Sequence, residues 1–125
     1  MANDIFAQDY KTKVRKGRDG WEANSEAEIG QTADGARILK LSTSKTRGGI
    51  AAFASVCIRK DCATGFVSET HALFADFTRS GIAMAPGRRA TEKAIRDVHA
   101  TALLEMDALI DEATAFYAAK EQEAA

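Results

Sequence analysis

Very few residues in this chain have the chemistry for catalysis or metal binding. Cys57, Cys62, His71 and His99 are its only thiols and imidazoles. Their successive separations of 5, 9 and 28 residues match no common zinc finger or ribbon. No metal is therefore expected, and Cys57, inside an apolar run, reads as a packed thiol. Glu69 and His71 stand two apart, on one side of a strand, and such an acid–imidazole pair transfers protons only where it lines a pocket. An edge or surface position is the expectation for both. His99 adjoins Val98 at the margin of an apolar stripe and reads as a polar-edge or interface histidine. Neither GxxxxGK[ST] nor GxGxxG occurs, so neither type of nucleotide-phosphate loop is supported. The expectation is a protein that is not an enzyme and carries no cofactor.

What remains is binding, and for binding the distribution of charge is informative. The formal net charge is −1, yet residues 1–96 hold 16 Lys and Arg against 11 Asp and Glu, and residues 97–125 hold one Lys against seven acids. The acidic part includes Glu105, Asp107, Asp111 and Glu112, a face expected to meet solvent. At 125 residues and 46% hydrophobic, the chain supports one domain with a modest core. Two Cys, one Pro and nine Gly argue against a disulfide scaffold or a collagen-like chain. No apolar run approaches membrane-spanning length, and residues 1–17 lack the apolar stretch of a secretory signal. A cytoplasmic protein with reduced cysteines and no membrane partner is expected.

The elements that must position these charges follow from periodicity. Residues 1–18 form a basic arm or a short strand, and residues 19–125 a single α+β domain. Residues 21–29 alternate strictly, with Trp21, Ala23, Ser25, Ala27 and Ile29 on one parity and three glutamates on the other. Asp34-Gly35 is a favoured hairpin pair, and residues 37–45 and 50–59 give the next strands, separated by a turn at 46–49. Residues 50–59 are apolar on both parities, as a central strand is. Residues 66–77 complete a four-stranded antiparallel meander within 20–78, and 79–88, holding the only proline, reads as a linker. Residues 89–120 then form one long helix, in which Ile95, Val98, Ala102, Met106, Leu109, Ala113 and Phe116 recur at spacings of three and four.

Strands of nine residues span about 30 Å, whereas a helix of thirty spans about 45 Å. The helix should overrun the sheet, and an uncovered apolar stripe asks for a partner. A homodimer through Ile95, Val98, Ala102, Met106, Leu109 and Phe116 is the expectation. The rival reading, a helix broken near 100–101 and folded back on its own sheet, has no Gly or Pro to mark it.

In an up-and-down meander the lead-in, the second turn and the exit from the last strand share one end. Lys11, Lys13, Arg15, Lys16, Arg18, Lys45, Arg47, Arg79, Arg88 and Arg89 are expected there, as a footprint for a polyanion. The hydroxyls at 42–44 and 46, the amides of Gly48 and Gly49 and the helix N-terminus would add phosphate contacts. A single-strand binder also needs rings for base stacking. The candidates are Phe53, Trp21, Phe74 and Phe77. Phe53 leads, because its parity opposes the aliphatic row of its strand, and Trp21 follows.

This element order resembles the β4-α proteins that bind single-stranded nucleic acid, the Whirly proteins and the positive-cofactor-four coactivators. The resemblance covers residues 20–120 and lies in architecture, with no matching sequence motif. It implies a dimer made through the helices and sheet faces offered to unpaired strands. Together these readings anticipate a small dimeric, regulatory nucleic-acid-binding protein, with a protein-interaction module (adaptor, inhibitor or chaperone-like dimer) as the alternative.

Overall fold

The computed structural model describes residues 10–61, 67–71 and 77–124, with side chains at 10–60 and 77–123. The chain forms an α+β structure in the order β1 (Lys13–Gly17), β2 (Gly20–Thr32), β3 (Gly35–Thr46), β4 (Gly49–Asp61), β5 (Val67–His71), β6 (Thr78–Pro86), α1 (Glu92–Leu103) and α2 (Met106–Ala124). The strands make one antiparallel sheet of five rows, because β5 and β6 share the fifth. β5 pairs with the second half of β4 and β6 with the first.

Three two-residue turns set the register, closing at Gly17↔Gly20, Thr32↔Gly35 and Thr46↔Gly49. Side chains brace two of them. Thr32 Oγ1 accepts from the Asp34 amide at 3.1 Å and donates to the Gly35 carbonyl at 3.0 Å, and Thr46 Oγ1 donates to the Gly49 carbonyl at 3.2 Å.

The sheet is larger than the four expected strands. Residues 13–17 are a true edge strand, and strand β6 takes in 79–86, read above as part of a linker. Gly81 and Pro86 punctuate the sequence there without ending the strand. Gly81 (φ 65°) sits in an irregularity, where Ala52↔Ala83 is followed by Ala54↔Arg79, and Pro86 lies at the strand's last position. Edge rows tolerate both.

One sheet face carries the helices. Ala23, Leu39, Leu41, Ala52, Ala54 and Val56 point to it and are buried, as are Ala94, Ile95, Val98, Ala102, Met106, Leu109, Ala113 and Tyr117 of the helices. The row expected to meet a second chain thus meets its own sheet. Ile95, Ala102 and Met106 are fully buried within the chain, and Val98 and Leu109 nearly so. Phe116 packs edge-on against Phe77, with ring centroids 5.8 Å apart.

The fit is possible because the long helix is broken at Leu104–Glu105. There the amides of Leu104 and Glu105 bond three residues back, to Thr101 and Ala102, at 3.2 and 2.9 Å. α1 lies against β2, β3, β4, β6 and β1, and α2 against β2 and β3. No Gly or Pro marks the break; tertiary packing imposes it. Among the described residues, no helix is long and apolar enough to cross a membrane.

Candidate functional site

The meander does build a basic end, but a smaller one than expected. Two backbone hydrogen bonds tie three distant segments together there. The Gly87 amide donates to the Gly48 carbonyl at 2.6 Å, and the Trp21 amide to the Ala90 carbonyl at 2.9 Å. The approach is close enough to require glycine. A Cβ on Gly49 (φ 140°) would lie 2.4 Å from the Ala85 carbonyl oxygen, and one on Gly20 (φ 134°) would lie 2.9 Å from the Ala90 Cβ.

On these segments stand Lys16 and Arg18, Lys45 and Arg47, and Arg88 and Arg89, all exposed. Arg88 shares Asp97 with Lys93, at 3.3 and 2.8 Å, which holds the Asp97 carboxyl below its usual pKa. Glu92 is taken up by Arg96 at 2.9 Å. Lys16, Arg18, Lys45, Arg47 and Arg89 form no ion pair with any described residue, so five cations stand together with Asp19 as their acidic neighbour. The start of α1 contributes less than anticipated. Thr91 Oγ1 already accepts from the Ala94 amide at 3.2 Å, and Glu92 puts a carboxylate in the first turn.

The other four expected cations lie elsewhere. Lys11, Lys13 and Arg15 are on the open sheet face, where with Lys40, Arg59, Glu22, Asn24 and Glu26 they line a shallow basin. Two carboxylates offset its charge. Arg59 grips both oxygens of Glu26 at 2.7 Å, and Arg15 meets Glu22 at 2.8 Å. Arg79, the second residue of β6, sits opposite Ala54, its guanidinium 4.3 Å from the Phe77 ring centre and 3.8 Å from Glu112.

Of the ring candidates, Phe53 is on the helix-free face and 42% exposed. Cross-strand pairing places it in one row with Lys13, Asn24 and Ser42. The row crosses three strand gaps, roughly 14 Å, and Ser42 Oγ donates to Asn24 Oδ1 at 2.7 Å within it. Met84, 63% exposed, extends the apolar part beside Ala51. Trp21 is on the other face, half-buried against the core, and Phe77 is fully buried, so neither offers a platform to the open face. Phe74 and Cys62 lie outside the described residues. Ser42, expected as a phosphate contact, stands in the Phe53 row, whereas Thr43 of the same run is buried against His99. Asn24 and Arg59 have no mark in the sequence, although strand parity, once the register is known, places them with Phe53.

The titratable candidates resolve differently. β5 sets Glu69 opposite Arg59 and His71 opposite Cys57. His99 is neither at an edge nor at an interface, being 2% exposed beneath α1. Its Nε2 is 2.7 Å from Ser25 Oγ and its Nδ1 is 2.7 Å from Thr43 Oγ1, with Thr12 Oγ1 2.6 Å beyond Ser25. Burial lowers its pKa from 6.5 to about 4, so the ring is neutral and pins α1 to β2 and β3. Near the start of α2, the Tyr10 hydroxyl donates to Asp107, a bond that raises the phenol's pKa. Among the described residues, no group of three or more His, Cys, Asp or Glu side chains is placed to hold a metal ion.

No protein-family model, no curated protein and no solved structure matches the chain. The β4-α resemblance therefore rests on architecture alone, and the sixth strand and the broken helix depart from it.

Proposed function

We propose that this chain is a small, non-enzymatic nucleic-acid-binding protein, regulatory in role, that works in the cytoplasm as a homodimer. The observation that carries the reading is the hydrogen-bonded junction of three segments that assembles Lys16, Arg18, Lys45, Arg47 and Arg89, none of them ion-paired with a described residue. Five cations this close attract phosphates strongly, and the release of condensed counterions drives the binding. Phe53 supports a preference for unpaired strands, because an exposed ring on a polar sheet face offers a stacking surface that a paired base cannot use. The basin around Lys13 and Arg15 extends the positive surface from the end of the sheet toward that ring.

The test is a mobility shift with single- and double-stranded DNA and RNA probes at low and moderate salt, on the native protein and on Lys45→Ala/Arg47→Ala. Both side chains are exposed, so the variant should keep its fold while losing affinity. Absence of binding to every probe at low salt removes the reading. The alternative, a protein-interaction module, is favoured by the exposed Met84 and Leu104. A partner captured independently of Arg47, without nucleic acid, would support it.

A further inference from the structure

We infer that a second copy of this chain docks, about a twofold axis, onto the groove where the break between α1 and α2 faces β6. The proposal deepens the homodimer part of the reading above and locates the contact away from the buried helix row.

Two irregularities meet in this groove. The helix breaks at Leu104–Glu105, and the β6 ladder is interrupted between Arg79 and Ala83. The break leaves Leu104 80% exposed, the most exposed of the large hydrophobic residues described. Beside it the groove has Ile82 and Leu109 as apolar lining, with Arg79 on one side and Glu105 and Glu112 on the other. A twofold contact needs one patch to carry both members of every complementary pair. This patch has an apolar knob beside an apolar groove, and a guanidinium beside carboxylates. Two copies related by a twofold through it would seat each Leu104 against the partner's apolar lining and bring each Arg79 toward the other chain's acids.

Arg79 is suited to that part. It is held in place by the Thr78 carbonyl at 2.8 Å and by the Phe77 ring. Its own ion pair to Glu112 is long, at 3.8 Å, and both side chains are about half exposed, so the guanidinium can take a second carboxylate. A partner of a single charge would satisfy one side of the groove and repel the other, which favours a copy of the same chain.

The experiment is sedimentation of the full chain, without nucleic acid, from about 1 to about 200 μM, on the native protein, Leu104→Lys, Arg79→Glu and Arg79→Glu/Glu105→Arg. Both single variants change exposed side chains, and circular dichroism checks that they fold. A native dimer is expected, weakened at least tenfold by either single variant and recovered by the double charge reversal. A native protein that stays monomeric throughout, a Leu104→Lys protein that dimerises unchanged, or a charge reversal that recovers nothing would overturn the proposal. None of these results bears on the basic end, because the readout contains no nucleic acid.

Discussion

Replacing His99 with Gln should remove about 2 kcal/mol of the stability that the protein loses between pH 7.5 and pH 5. In the folded chain the neutral ring has a hydroxyl at each nitrogen, Ser25 on one side and Thr43 on the other. Hydroxyls can donate or accept, so protonation leaves both contacts possible. What protonation adds is a charge in a site with almost no access to water. The folded pKa of about 4 lies below the unfolded value of 6.5. The unfolded chain therefore binds the proton first. The stabilisation is complete above pH 6.5 and is lost as pH falls toward 4. Lowering the pH from 7.5 to 5 should cost about 2 kcal/mol at this one residue. The assay is chemical denaturation at several pH values in that window, for the native protein and for His99→Gln. At pH 7.5 the variant should be less stable by about 1–3 kcal/mol for a disturbed buried hydrogen-bond pair, and this gap should narrow by about 2 kcal/mol by pH 5. The informative quantity is the difference in slope. His71 is common to both proteins and cancels to first order. Parallel profiles, or an imidazole pKa for His99 near 6.5 by NMR, would refute the reasoning.

Three further outcomes follow from the packing and the open face. Ile95→Ala should lower stability by about 3 kcal/mol without changing the association state, since Ile95 is buried within its own chain; denaturation and sedimentation read the two effects. Gly49→Ala should lose at least about 2 kcal/mol from its strained backbone and overlap. It should also weaken oligonucleotide binding, because the new Cβ pushes the Ala85–Gly87 crossover away from the β3–β4 turn. Phe53→Ala should reduce single-stranded affinity by about tenfold and leave double-stranded affinity unchanged, as measured by fluorescence anisotropy with the two probes.

The parts of the fold legible in the sequence are those set by local rules. The alternation around Ala23 and Ser25, the Asp34-Gly35 turn and the apolar row of β4 all state their structure within a few residues. Gly81 and Pro86 look like punctuation and make residues 79–88 read as a linker, and only an edge position makes them compatible with a strand. The helix break at Leu104 has no sequence mark, since it comes from fitting a long helix to a shorter sheet. The same limit explains the apolar helix row. Spacing shows which face of a helix must be covered but not which chain covers it. For the site, strand order was enough to bring Arg18, Arg47 and Arg89 together. It did not show that Arg79 and Trp21 turn to the helix side, since that depends on the register of each strand. The setting of His99 was out of reach, because its hydroxyl partners are 74 and 56 residues away along the chain.

The central claim, that separate segments pool their cations at one end of the sheet to hold phosphates, is tested most directly by the salt dependence of oligonucleotide affinity. Five cooperating cations predict that raising salt from about 50 to about 200 mM weakens single-strand binding about 100-fold, and that Lys45→Ala/Arg47→Ala reduces this factor to about 20. Equal salt slopes for the two proteins, or affinity indifferent to salt, would contradict it.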